Sequence, residues 1–136
     1  MKLFLDTNVI LDFVLNRLPF SEDASSIIEH ATINKFEIFI SSSSITDIYY
    51  IISKKYNKKI AHDFISDIVL NFKLTEVNHT TISDAVKSTF NDFEDAVQYQ
   101  SALHANVNFI ITRNVKDFVK SKIKIFTPKE FIKKYS

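Results

Sequence analysis

Glycine is absent from all 136 residues, and so is cysteine. At an average usage of roughly 7%, about ten glycines would be expected in a chain of this length. Without them there is no Gly-rich loop to let a backbone close on nucleotide phosphates, which excludes P-loop and dinucleotide-binding chemistry. The lack of cysteine excludes disulfides, thiolate zinc sites and cysteine nucleophiles. No run reaches the ~18 consecutive apolar residues that a membrane helix requires, so no membrane partner is expected. The first residues enter a strand without the basic region, apolar stretch and cleavage site of a secretory signal, which makes the cytoplasm the expected compartment. The four histidines, His30, His62, His79 and His104, show no metal-binding spacing. The serine run at 41–44 has no flanking glycine, so it reads as a helix cap and not as a nucleophile elbow.

What is present is ordinary for a globular protein. The hydrophobic fraction is 46% and the charged fraction 24%. The length suits one domain over residues 1–136 with a substantial core, and the 13 Phe and 5 Tyr are spread along the chain as core residues would be. The net charge of +1 is unevenly divided: residues 113–136 carry eight basic and two acidic groups, and the remainder is acidic by five. A basic terminal segment beside an acidic body either contacts phosphates or is a solvated surface.

Periodicity gives the organisation. Residues 3–5 read as a strand, followed by a helix from Asn8 that Pro19 breaks. Ser21 reads as the N-cap of a second helix to about Ile33, with Glu22 and Asp23 in its first turn. Residues 36–40 read as a strand. Ile45, Ile48, Tyr49 and Ile52 lie at helical spacing after the serine run, and Ile60, Phe64, Ile68 and Phe72 form the stripe of a helix over 58–72. A short strand is expected at 74–77, helices at 81–90 and 92–105, strands at 108–112 and 123–126, and a terminal helix with Pro128 in its first turn. Strands alternating with helices predict parallel pairing and right-handed crossovers. The expected fold is α/β, a three-layer α/β/α sandwich around a parallel sheet of four to five strands.

Polar residues gather at one edge of that sheet. Asp6 ends the first strand, in Leu3-Phe4-Leu5-Asp6-Thr7-Asn8, and the carboxyl ends of strands are where open α/β sheets bind ligands. Asp47 lies in the first turn of the helix after the second strand. Asp95, beside Asp92 and Glu94, opens the helix before the strand that ends at Arg113-Asn114. Carboxylates gathered in one place disfavour one another's ionised forms. A hard divalent cation with oxygen ligands, Mg²⁺ or Mn²⁺, relieves that repulsion and suits phosphodiester hydrolysis. Each acid also has a purely structural reading. Ser44-x-x-Asp47 fits a capping box, Asp92-x-x-Asp95 fits an N-cap with a helix-dipole acid, and Asp6 fits a turn or cap. Asp12, inside the first helix, reads as a solvated or outer acid. Arg113 is placed to hold a phosphate, while Lys54 and Lys55 either track a nucleic-acid strand or form a solvated helix end.

Four segments together resemble the PIN domain, a family of metal-dependent nucleases that includes VapC-like toxins. They are Leu5-Asp6-Thr7-Asn8-Val9-Ile10-Leu11-Asp12, Ser43-Ser44-Ile45-Thr46-Asp47-Ile48, Asp92-Phe93-Glu94-Asp95-Ala96-Val97-Gln98, and Ile110-Ile111-Thr112-Arg113-Asn114-Val115-Lys116-Asp117-Phe118. Their order and spacing span essentially the whole chain, and the last is similar to a bacterial subgroup with a C-terminal Thr-Arg-Asn…Asp-Phe motif. The resemblance implies Mg²⁺- or Mn²⁺-dependent cleavage of RNA, frequent homodimers and, in toxin members, neutralisation by a small antitoxin. By position it makes Asp6, Asp47 and Asp95 the metal-binding acids and places Asn114 where many members have a fourth acid. Asp117, one turn later, is the substitute, and Thr7, Thr112 and Asp92 support the site. Asp47 stands where the family usually has Glu. It is one methylene shorter, which turns a direct metal contact toward a water-mediated one. Asn114 removes a charge from a second metal site. These departures motivate the alternative of a catalytically weak or inactive module that binds RNA or protein. A phosphotransfer receiver-like domain ranks third, because Arg113-Asn114 supplies neither its phosphoacceptor Asp nor its Lys.

Overall fold

Leu3, Phe4 and Leu5 are each fully buried, yet they feed two different cores. They form β1 (Lys2–Leu5), whose successive side chains point to opposite faces of the sheet. In the computed structural model, which describes residues 1–136, β1 pairs in parallel with both β2 (Glu37–Ser41) and β4 (Phe109–Ile111). β3 (Lys73–Thr75) and β5 (Lys124–Phe126) complete a five-stranded parallel sheet in the order β3-β2-β1-β4-β5.

On one face, Leu3 and Leu5 join Ile38, Ile40 and Ile111. They pack against residues of α1 (Thr7–Val14), α2 (Ser21–Ile33), α3 (Ile45–Lys55), α4 (Lys58–Asn71) and α7 (Pro128–Tyr135). On the other face, Phe4, Phe39 and Ile110 pack against Tyr99 and Ala102 of α6 (Phe93–His104), with Val107 and Phe118. α5 (His79–Lys87) docks on α6 through Ala85, Ala96 and Val97. The result is the expected three-layer α/β/α sandwich. Each large apolar side chain so buried contributes about 1.5–3 kcal/mol. No helix is long and apolar enough to cross a membrane.

The strand order positions the site. From β1 the chain winds outward through β2 to β3 and then returns to the far side of β1 to lay down β4. The direction of winding therefore reverses between β1 and β4. A crevice opens there at the carboxyl ends of the strands, the place where sheets of this class bind ligands.

Several boundaries differ from expectation, each for a local reason. α1 stops at Val14 and does not run on to Pro19. Asn16 just beyond it takes the left-handed conformation, φ 52°, which ends a helix. With no glycine available, the same job falls to Lys35 after α2 and Asn106 after α6, at φ 58° and 56°. Ser21 is the first helical residue of α2 and makes no cap, because Phe20 holds the N-cap position. Asn78 caps α5 in a reciprocal capping box with Thr81, so that helix starts at His79 and β3 ends at Thr75. Thr127 and Glu130 form a second capping box at α7, with Pro128 in its first turn as expected.

Candidate active site

Asp6 occupies the N-cap position of α1, but its side chain makes no cap hydrogen bond. The carboxylate is 3% exposed and is held from two other elements. Thr112, just past β4, donates its hydroxyl to Oδ2 at 2.8 Å. Gln98 of α6 donates Nε2 to Oδ1 at 3.2 Å. The other end of the Gln98 amide accepts from the Thr7 backbone N–H at 3.1 Å and from the Thr7 hydroxyl at 3.0 Å. The Thr7 oxygen lies 2.6 Å from the Ser44 hydroxyl. Burial pushes the Asp6 carboxyl above its ordinary range, opposed by the Thr112 and Gln98 hydrogen bonds.

Asp6, Asp47, Asp92, Glu94, Asp95 and Asp117 line one cleft of about 440 Å³, with Arg17 as its single cation and Tyr50 on the wall. Asp47 is exposed in the first turn of α3. The capping box anticipated there does not form, because Ser44 makes no bond to the helix backbone and turns its hydroxyl to Thr7. Asp92 does cap α6, accepting from the Asp95 N–H at 3.0 Å. That leaves the Asp95 carboxyl on the cleft without a role in capping. Its pKa is pushed up to about 7, first by burial and then by the charges of Asp6, Asp92, Asp117 and Glu94. Glu94 is raised likewise, by burial and then by Asp47, Asp92 and Asp6.

Carboxyls that raise one another's proton affinity around one cleft form a donor set of hard oxygens, which suits a divalent cation of the Mg²⁺ type. No three of the Asp, Glu or His side chains converge tightly enough to enclose an ion by themselves. Residues so arranged fit an ion that keeps several of its own waters, as Mg²⁺ does.

Two residues expected at this site lie elsewhere. Asn114 is exposed and outside the cleft, and its contribution is a backbone N–H donated to Thr112 Oγ1 at 3.1 Å. Asp117, in the 3-10 turn Val115–Phe118, faces the acids in its place. Arg113 turns away to α1 and α2. Its Nε lies 3.0 Å from Asp12 Oδ2, and its guanidinium sits 4.0 Å above the Phe20 ring. It lines a separate cavity of about 230 Å³ with Thr127 and Lys129. Asp12, 1% exposed and also 3.6 Å from Arg17, is a buried counter-ion and not a solvated acid.

The sequence pattern gives no role to Gln98 or Arg17, and gives Ser44 only that of a cap. Gln98 did leave a signal: it lies three residues after Asp95, on the same helix face, among buried Ala96, Val97 and Tyr99. A second, smaller cleft of about 80 Å³ shares Asp92, Asp95 and Asp117 with the first and adds Lys116 and Lys120. Lys120 Nζ is steadied by donating to the Thr89 carbonyl at 2.6 Å. Neither lysine belongs to an ion pair.

A family model described as PIN domain matches residues 2–116. Ribonuclease VapC1 of Aquifex aeolicus (strain VF5) is 29% identical over 140 residues, covering 99% of this chain and 96% of that protein. Among solved structures, VapBC-1 from nontypeable Haemophilus influenzae superimposes with a TM-score of 0.71 at 18% identity, covering 95% of this chain and 99% of that one. A toxin-antitoxin complex from Klebsiella pneumoniae gives 0.68 at 18% identity, covering 92% and 96%. At such identities the structural likeness is one of fold.

Proposed function

The chain belongs to the PIN-domain family, and from that premise we propose that it is an Mg²⁺- or Mn²⁺-dependent endoribonuclease, the toxin of a toxin–antitoxin pair. The observation that carries this reading is the acid-lined cleft at the β1–β4 reversal, where Asp95 is pushed up to about 7 by burial and by its acidic neighbours. Similarity to a ribonuclease along nearly the whole chain supports the same substrate, and the resemblance to a toxin-antitoxin complex supports a small antitoxin as partner. Residues 1–136 act as one domain, a homodimer is the expected assembly, and the cytoplasm is the compartment.

Asp6 and Asp95 would hold the ion, with the carboxylates of Asp47 from α3 and Asp117 from the turn after β4 on the same cleft. When bound, the ion supplies positive charge to the phosphodiester and acidifies a water for hydrolysis. The chain's own residues do the rest. Thr112 and Gln98 keep the Asp6 carboxylate pointed into the cleft. Lys116 and Lys120 contact a phosphate of the strand beside the acids. Tyr50, 60% exposed on the cleft wall, offers its ring for a base to stack on. Arg113 is not assigned to substrate, because its guanidinium is engaged by Asp12 and Phe20.

The test is cleavage of a fluorescent single-stranded RNA with Mg²⁺, Mn²⁺ or EDTA, with Asp6→Asn in parallel. Metal-dependent cleavage that disappears in the variant supports the nuclease. The rival reading, a module that binds RNA or protein without cutting, draws on the absence of three converging carboxylates. Folded protein that neither cleaves nor gains thermal stability with Mn²⁺ would favour it.

A further inference from the structure

Gln98 lies in the middle of α6, one turn after Asp95, and is 1% exposed. Its neighbours on the helix, Ala96, Val97, Tyr99 and Ala102, are buried with it. A primary amide in such surroundings is retained only where its donors and acceptor are satisfied. Here every hydrogen bond of the side-chain amide lies at the acidic cleft: Nε2 donates to Asp6, and Oε1 accepts twice from Thr7.

The direction of every bond around it is forced. A backbone N–H only donates, so Gln98 must present Oε1 to the Thr7 N–H and therefore Nε2 to Asp6. The Thr7 hydroxyl donates its one proton to Gln98, so the Ser44 hydroxyl must donate to Thr7 across their 2.6 Å contact. On the other side of Asp6, Thr112 donates and in turn accepts from Asn114 N–H. One chain of hydrogen bonds, Ser44 to Thr7 to Gln98 to Asp6 from one side and Asn114 to Thr112 to Asp6 from the other, joins all four sequence segments that line the site. Gln98 is the link in it that joins α6 to both Asp6 and Thr7, at the junction of β1 and α1.

We propose that Gln98 is the positioning residue of the site: its amide locks Asp6 and Thr7 to α6, and divalent-metal affinity depends on that lock while RNA affinity does not. The inference rests on the metal-dependent nuclease reading above. A residue that only filled space in α6 would have no effect on metal affinity. One that aims a metal-binding carboxylate is expected to change it by about 10–100-fold when removed.

The experiment is an Mn²⁺ titration of wild type, Gln98→Met, Thr112→Val and the double variant, read by thermal shift and calorimetry, with RNA KM and kcat measured alongside. Met fills a similar volume without hydrogen bonds. The expected result is an Mn²⁺ midpoint raised about 10–100-fold in each single variant and an unchanged RNA KM. The double variant should be less than additive, because both changes act on one carboxylate. Ile68→Val, in the core away from the cleft, controls for lost stability and should leave the midpoint unmoved. If Gln98→Met does not fold, Gln98→Asn carries the test, since its amide is a methylene too short to reach Thr7 and Asp6 together. A Gln98 variant that melts earlier but binds Mn²⁺ at the wild-type midpoint overturns the inference alone. Wild type that neither binds Mn²⁺ nor cleaves RNA overturns the nuclease reading and this inference with it.

Discussion

The hydroxyl of Thr112 donates to the carboxylate of Asp6 at 2.8 Å, although 106 residues separate them. The hydrogen bond exists because β1 and β4 lie side by side, with Leu5 opposite Ile111, so the next residue of each strand emerges into the same crevice. An acid held by two donors is oriented whether or not a ligand is present.

Asp6→Asn is expected to abolish cleavage and Mn²⁺-dependent stabilisation while the protein stays folded. The replacement amide can accept from only one of Thr112 and Gln98, which costs about 1 kcal/mol. Relief of a buried charge beside other acids offsets that loss. Circular dichroism should show a metal-free melting temperature within a few degrees of wild type. Cleavage should fall by more than about 100-fold, the upper end for losing even an outer-shell partner. An Asp6→Asn protein that is unfolded, or that still cleaves, contradicts the assignment.

Asp95 makes stability depend on pH in a direction that can be worked out. Its carboxyl titrates at about 7 in the folded protein against an ordinary value of 3.8. Between these values the folded state binds a proton that the unfolded chain has released, so the Asp95 contribution falls as pH rises from about 4 through 7. Melting curves of metal-free wild type and Asp95→Asn, compared across that window, should converge at low pH and separate above pH 7 with the variant the more stable. Saturating Mn²⁺ should restore the wild-type protein at high pH. Parallel curves would show that Asp95 is not strained by its neighbours.

Arg113→Ala should destabilise the protein and leave RNA recognition largely intact. The change removes the closer of two guanidiniums from Asp12, which is 1% exposed. Breaking a buried pair from one side costs about 3–5 kcal/mol, and the remaining Arg17 keeps the effect near the lower end. Denaturant unfolding measures the loss, and adding Asp12→Asn should recover part of it. A large rise in RNA KM without lost stability would return Arg113 to the substrate.

Lys116→Ala combined with Lys120→Ala should do the opposite. Both lysines are exposed beside the acids and belong to no ion pair, and Lys120 has only an exposed bond to the Thr89 carbonyl, so the melting temperature should hardly move. RNA KM should rise, and the salt dependence of binding should flatten by about 0.7 for each single-strand phosphate that is no longer neutralised. An unchanged salt slope would place the RNA backbone elsewhere.

Lys35→Gly should stabilise the fold. Lys35 sits at φ 58° after α2, a conformation that costs a residue with a Cβ about 1 kcal/mol and glycine little. The expected gain is about 3–4 °C in melting temperature at this chain length. A neutral or negative effect would mean that the side chain contributes something the backbone conformation does not account for.

The alternation of strands and helices, the parallel sheet and the placing of Asp6, Asp47 and Asp95 at one sheet edge could all be read from the residues. Period-2 and period-3.6 patterns are local, and an acid after Leu3-Phe4-Leu5 has few places to go but a strand end. Caps were less legible: Asn78 and Ser44 both carry a capping oxygen, and only the neighbour each one meets decides whether it caps a helix or turns to Thr7. Asn114 and Asp117 lie three residues apart, and which of them faces the cleft depends on how the turn after β4 winds. The partner of Arg113 was hidden too, because Asp12 is about a hundred residues away in sequence and adjacent only once α1 lies beside the end of β4. Local residue order was enough to set the inventory of acids and the layers that carry them. The strand order β3-β2-β1-β4-β5 settled which of those groups meet, since burial and hydrogen-bond partners are set by contacts between residues far apart along the chain.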